Sequence, residues 1–248
     1  MCSNPSLVAL FTDFGVGSHY IGQVKARLLG DGVKQPIIEL CSDAPVFDPL
    51  SSAYLLASFM DWLPADSLIV AVVDPGVGSN RLSLLAKLDN IWVIAPDNGL
   101  LSVAMQRSSY VSVQTIEFTP EKRSRTFDGR DLFAPVAARL CNSLSIPGES
   151  TTPELLVGHD WPSHVFAIIY LDHYGNAVSG LFGDMINTNQ KILICGAEVP
   201  FAETFSAVKP GDLFWYVNSN NLVEIAANCT RADERLPLQI GTPIEILS

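Results

Sequence analysis

Val72-Val73-Asp74-Pro75-Gly76-Val77-Gly78-Ser79-Asn80-Arg81 ends a run of β-formers on an aspartate, turns on a proline and two glycines, and delivers an arginine one loop-length later. Residues 68–73 read as a buried strand. A carboxylate at the carboxyl end of such a strand, beside a glycine-rich loop, is where open α/β sheets place their ligands. Thr12-Asp13-Phe14-Gly15, Ala95-Pro96-Asp97-Asn98-Gly99 and Leu171-Asp172-His173-Tyr174-Gly175-Asn176 repeat the same order of apolar run, Asp, then Gly.

On the amino-terminal side of that stretch, strand-like residues 7–11 and 37–40 alternate with helix-like residues 20–29 and 51–62, the pattern of a parallel sheet with crossover helices. On its carboxyl side, residues 82–88 and 91–95 joined by Asp89-Asn90 predict a hairpin at the edge of that sheet. A last helix is expected over 131–141. Residues 143–153, rich in Ser, Thr, Pro and Gly, read as a linker. Beyond it, short strands are expected at 165–171, 191–195, 213–217, 223–227 and 244–247, separated by turns such as Lys209-Pro210-Gly211-Asp212, giving a small barrel or sandwich. The expected fold is therefore an α/β N-terminal domain with a largely parallel sheet over 1–150, plus a smaller β-barrel-like C-terminal domain over 160–248.

Composition sets the outer limits. With 248 residues and 48% hydrophobic content, the chain can bury a sizeable core. A formal net charge of −11 disfavours nucleic acid as a partner, because phosphate backbones are repelled. The five cysteines, Cys2, Cys41, Cys141, Cys195 and Cys229, are scattered and never in C-x-x-C spacing, so they read as buried thiols in a reducing compartment. No apolar run approaches the roughly 20 residues of a membrane span, and no basic region followed by a hydrophobic stretch opens the chain. The expected address is the cytoplasm, with no membrane partner.

Each motif admits a plain structural reading beside a chemical one. Asp13-Phe14-Gly15-Val16-Gly17 lacks the third glycine of G-x-G-x-x-G, so it is either a simple turn or a strand end where Asp13 accepts ribose hydroxyls. Asp74 and Arg81 form either an ion pair that fastens the loop or a pair that orients a polar small molecule or water. In Arg125-Thr126-Phe127-Asp128-Gly129-Arg130-Asp131, Asp128 or Asp131 could cap the following helix. Capping accounts for one aspartate, whereas two arginines and two aspartates in one turn point to a site or to mutual pairing. Asp172 to Asn176 has the composition of a turn. The histidines show no ligand spacing and no H-E-x-x-H, and neither a G-x-S-x-G elbow nor a P-loop occurs, so no metal and no organic cofactor is expected.

Taken in order, T-D-F-G at 12–15, V-V-D-P-G-V-G-x-x-R at 72–81, A-P-D-N-G-L-L at 95–101, T-F-x-G-R-D-x-F-A-P at 126–135, D-x-Y-G-N at 172–176 and N-S…L-V-E-I-A at 218–226 span nearly the whole chain. Together they resemble the S-adenosyl-L-methionine hydroxide adenosyltransferase family, relatives of the fluorinases and chlorinases. The resemblance implies attack of water, as hydroxide, on C5′ of S-adenosyl-L-methionine, giving adenosine and L-methionine. It also implies a homotrimer with active sites at subunit interfaces. By motif position, Asp13 binds the ribose diol and Phe47 packs on the sugar. Asn176 reads the adenine edge between Tyr174 and Phe205, Asp172 and Ser219 hold the methionine part, and Phe127 and Gly129 flank the path of the nucleophile.

Asp74 and Arg81 match the first two members of the hydrolase triad of Asp, Arg and His. Asp128 stands where the family carries the histidine. Three outcomes follow: Asp128 orients water in its place; two carboxylates beside one arginine give a slower enzyme or a shifted pH optimum; or the protein binds S-adenosyl-L-methionine or adenosine without turnover. Halide transfer is disfavoured, since a second carboxylate repels an anion. A rival from outside the family is an α/β hydrolase whose strand-end aspartates hold a divalent metal. Asn220-Asn221 and Asn228-Cys229-Thr230-Arg231 also depart from the family pattern.

Overall fold

A computed structural model describes residues 4–121 and 123–247, which divide into two compact units, one ending at Trp161 and the other beginning at Pro162. Cys2 lies outside the described residues.

The first unit is built on β1 (Leu7–Thr12), α1 (His19–Gly30), β2 (Ile37–Cys41), α2 (Pro49–Phe59), β3 (Ser67–Val72), β4 (Ser83–Leu88), β5 (Ile91–Pro96), α3 (Ser102–Arg107), β6 (Val111–Thr115), α4 (Ala134–Cys141) and β7 (Ser150–Thr151). Its sheet runs β2-β1-β3-β5-β4-β6-β7. β2, β1, β3 and β5 are mutually parallel, β4 is antiparallel to both β5 and β6, and β7 is antiparallel to β6, so five of the seven strands share one direction. Every residue of β3 is buried, as expected for a strand covered on both faces.

Alternation along β1 divides its side chains between two layers. Val8 and Leu10 join Ile21, Val24 and Leu28 of α1 and Val136, Ala137 and Cys141 near the opposite end of the unit's sequence in one cluster. Phe11 meets Phe59 of α2, with ring centroids 6.1 Å apart. Each fully buried aliphatic side chain contributes about 1.5–3 kcal/mol. Ser18 caps α1 by accepting the Tyr20 N–H, and Asp48 caps α2 by accepting the Ser51 N–H, with Pro49 preset for the first turn.

Several local expectations are corrected. The 82–88/91–95 hairpin forms in register Leu88 opposite Ile91, but it lies inside the sheet, because Val111–Thr115 adds β6 outside β4. Part of the expected linker, Ser150–Thr151, pairs with β6 as β7. The helix expected over 131–141 opens with a wider π-helical turn at Gly129–Phe133 before α4. Pro135 has no N–H to return to residue 131, and the wider turn removes the demand for it. Cys41 and Cys141 are buried, their thiols pushed up by burial to about 12 and about 11, whereas Cys195 and Cys229 are exposed in positive-φ turns.

The second unit contains β8 (Val165–Leu171), β9 (Ala177–Phe182), β10 (Lys191–Ile194), β11 (Ala197–Val199), β12 (Leu213–Val217), β13 (Leu222–Ala227), α5 (Ala232–Arg235) and β14 (Ile244–Leu247). They form antiparallel sheets ordered β12-β13-β9-β8 and β11-β10-β14 over a shared core that includes Ile168, Leu181, Ile192, Trp215, Ile225 and Ile244. The barrel expectation is corrected: among the described residues no ladder closes the two sheets on each other, and isolated bridges, Ala167 with Pro243 and Phe201 with Trp215, link them. At the first of these, Ile168 N–H donates to the Thr242 carbonyl at 2.9 Å. No described helix is long and apolar enough to cross a membrane.

Candidate active site

In the first unit the chain leaves β1 on one side for β2 and crosses back to β3 on the other, so β1 and β3 flank the point where strand order reverses. Asp13, Asp74 and Asp97 follow the carboxyl ends of β1, β3 and β5, three neighbours in the sheet. The Asn98 side chain donates to the Val73 carbonyl at 2.8 Å and ties two of these ends together.

Asp74 and Arg81 form a bidentate pair: Arg81 Nε donates to Asp74 Oδ1 at 2.8 Å and Nη2 donates to Oδ2. The same Nη2 donates to Asp128 Oδ2 at 2.9 Å, while Nη1 donates to Ser83 Oγ at 3.2 Å and the Leu82 carbonyl at 3.3 Å. Side-chain exposure is 9% for Arg81, 4% for Asp74 and 2% for Asp128, so all three are desolvated. The guanidinium carbon lies 5.5 Å from the centre of the Phe133 ring. Asp74, Arg81 and Asp128, up to 54 positions apart in sequence, thus converge.

A fourth member was not anticipated. Arg123 grips Asp128 through Nε to Oδ1 and Nη2 to Oδ2, both at 2.9 Å. The crowded turn then resolves into two ionic groups. Asp128 serves Arg81 and Arg123, while Asp131 takes a fork from Arg130 at 2.7 and 2.8 Å and the Ser124 N–H at 2.8 Å. Arg130 holds the Asp131 carboxyl below its usual range. The capping expectation is corrected: Asp128 makes no side-chain cap bond, and the backbone N–H that Asp131 takes is that of Ser124, upstream of the helix. Gly78 explains how the loop after Asp74 reaches this turn: its φ is +82°, and a Cβ there would sit 2.4 Å from the Arg125 carbonyl oxygen.

Around this cluster, Phe14, Tyr20 and Phe127 pack edge to face or tilted at 5.1–5.8 Å, with Phe127 and Gly129 buried. Asp13 Oδ2 accepts the Phe47 N–H at 3.1 Å. Phe47 has φ +59° and its side chain is exposed, so backbone geometry brings these two predicted residues together. Burial raises the Asp13 carboxyl above its usual range, the Phe47 N–H opposes this, and the Asp74 charge adds to it. Asp97, quoted in the sequence only as part of a motif, is also raised by burial, against the Val157 N–H and the Arg81 charge.

The other predicted residues lie in the second unit. Asp172 closes the turn after β8 by accepting the Asn176 N–H at 2.8 Å and its side-chain amide at 3.0 Å, while Tyr174 projects into solvent. Phe205 packs against Phe214 and Tyr216 at 5.0 and 5.6 Å. Tyr216 Oη and Asn218 Nδ2 donate to the buried Glu224 at 2.5 and 2.7 Å. Asn176 also bonds to Glu224, so one carboxylate links Asn176, the wall behind Phe205, and the turn that carries Ser219. Burial raises Glu224 above its usual range, and the Tyr216 and Asn218 bonds oppose it. The signal for Glu224 was a glutamate inside the all-apolar run L-V-E-I-A-A. Asn221 takes φ +60°, the conformation a glycine would supply, so this departure from the family pattern keeps the turn. Among the described residues, no three His, Cys, Asp or Glu side chains gather as a metal-binding set.

The sequence pattern of the SAM hydroxide adenosyltransferase N-terminal domain matches residues 8–148, and that of the C-terminal domain matches 166–245. The chain is 31% identical to the (R)-S-adenosyl-L-methionine hydrolase of Thermus thermophilus, over 97% of this chain and 99% of the relative. It is 30% identical to the protein of the same name from Salinispora arenicola, over 99% of each. Among solved structures, an uncharacterized conserved protein from Thermotoga maritima aligns with a TM-score of 0.86 at 26% identity, over 97% of this chain and 100% of that one. Match to both domain patterns, in order and over most of its length, establishes that this chain belongs to the S-adenosyl-L-methionine hydroxide adenosyltransferase family.

Proposed function

We propose that this protein hydrolyses S-adenosyl-L-methionine at C5′, releasing adenosine and L-methionine without a metal or organic cofactor. The observation that carries the reading is the convergence of Asp74, Arg81 and Asp128 at the carboxyl ends of the central strands. Membership of a family with named S-adenosyl-L-methionine hydrolases supports it.

The chemistry asks little of the protein. Water oxygen forms a bond to C5′, the C5′–S bond breaks, its electron pair neutralises the sulfonium as a thioether, and the water proton passes to a carboxylate and on to solvent. A sulfonium already leaves well, so the site must hold water in line and exclude bulk solvent. Asp74 and Asp128, fixed by Arg81, are the acceptors that orient that water, and Phe127 with Gly129 bounds its approach. Asp13 and Phe47 take the ribose. In the second unit, Asn176, Tyr174 and Phe205 take the adenine, while Asp172 and Ser219 take the methionine part. Exposed Phe47 and Tyr174 gain cover in a homotrimer whose sites are shared between subunits, and exposed free thiols suit a cytoplasmic address.

A second reading, binding without turnover, is favoured by one feature: three guanidinium donors already occupy the Asp128 oxygens. Incubation of the purified protein with S-adenosyl-L-methionine, with products separated by chromatography, decides between them. Adenosine and methionine in equal amounts support hydrolysis. Tight binding with no products supports the second reading.

A further inference from the structure

Arg81 can do nothing beyond what it already does. A guanidinium has five N–H donors, and all five of its own are used, by both Asp74 oxygens, Asp128, Ser83 and the Leu82 carbonyl. It is one positive charge against two buried carboxylates. Arg123 supplies the second. Its fork closes on both oxygens of Asp128, balancing the cluster at two acids and two bases, and its side chain, 39% exposed, reaches the pair from the solvent side. A carboxylate that is 2% exposed and held by one arginine alone would be under-compensated and free to turn about its χ2. Held by a planar fork on the other side as well, it has one orientation.

We infer that Arg123 is a positioning residue of the hydrolytic site, fixing and neutralising Asp128 so that pair and carboxylate act together in orienting the attacking water. The inference rests on the hydrolytic reading above and adds to it the residue through which Asp128 works. Among the described residues the ion pair of Arg123 is with Asp128 alone, so its influence on the site is expected to vanish when Asp128 carries no charge.

The test is a double-mutant cycle on the full-length protein: wild type, Arg123→Ala, Asp128→Asn and the double variant, with Arg123→Lys alongside and folding checked by thermal unfolding. Adenosine release gives kcat and KM. The expected result is that Arg123→Ala lowers kcat tenfold or more with KM within threefold, and that Arg123→Lys, which keeps the charge but not the fork, falls between it and wild type. The double variant is then within twofold of Asp128→Asn. If Arg123→Ala does not fold, the Lys variant in the same two backgrounds carries the comparison. Wild-type kcat in the Arg123 variants, an equal loss in both backgrounds, or a loss wholly in KM overturns the inference while leaving hydrolysis standing. A wild-type protein that releases no adenosine overturns both.

Discussion

A guanidinium with every donor committed cannot also bind substrate, so Arg81 acts by holding Asp74 and Asp128 still. Replacing it with Met leaves two buried carboxylates short of a cation and should cost about 3–5 kcal/mol of stability, measured by urea unfolding. Asp74→Asn keeps the shape but weakens the acceptor, and kcat should fall by about 10²–10⁴ with little change in KM, as for loss of a positioned acid–base group. Glu224 differs in kind. Its folded-state carboxyl is raised by burial, so between the ordinary carboxylate range and that raised value the folded protein binds the extra proton, and stability falls as pH rises through the window. Glu224→Gln should remove this decline from the stability–pH curve. It was the resemblance to the family that grouped Asp74, Arg81 and Asp128; spacing alone left Asp74 and Arg81 equally readable as an ion pair that fastens the loop. Neither could choose among Arg123, Arg125 and Arg130, since the partner of a carboxylate is set by a turn whose path depends on Gly78 meeting the Arg125 carbonyl.

At the level of elements, the loop from Asp74 to Arg81 and the turn before α4 are fitted to one another at backbone contact. Gly78→Ala adds a methyl in a left-handed conformation against a carbonyl oxygen. It should lower stability by about 1–3 kcal/mol and reduce turnover as well, read by thermal unfolding and adenosine release on the same preparation. The long apolar runs of β1, β3 and β5 and the amphipathic α1 were legible because burial writes itself into their spacing. β7, β9 and β11 were not. Ser150–Thr151 is too short to carry a pattern and β9 includes Ser179 and Gly180, while Val111–Thr115 does alternate and could have been recognised. The hairpin turn at Asp89, φ +48°, was visible, but its neighbours in the sheet depend on β6 returning from the far side of α3.

Across the molecule, the proposed roles fall on the two units in a way that kinetics can separate. Variants of the Asp74 cluster should act on kcat, whereas Glu224→Gln, which turns an amide N–H toward the Asn218 donor, should raise KM about tenfold, the cost of roughly one buried hydrogen bond, with kcat within a few-fold. The family and the two-part order of the fold could be read from six motifs. The open, two-sheet form of the second unit could not, because the sheets meet through isolated bridges that leave no periodic pattern in the sequence. The most direct test of attack at C5′ is turnover of S-adenosyl-L-methionine in ¹⁸O-enriched water, with mass analysis of both products. The account predicts the label in the 5′-hydroxyl of adenosine and none in methionine, formed more slowly by Asp74→Asn in proportion to its lower kcat; unlabelled adenosine, or cleavage of any other bond, would contradict it.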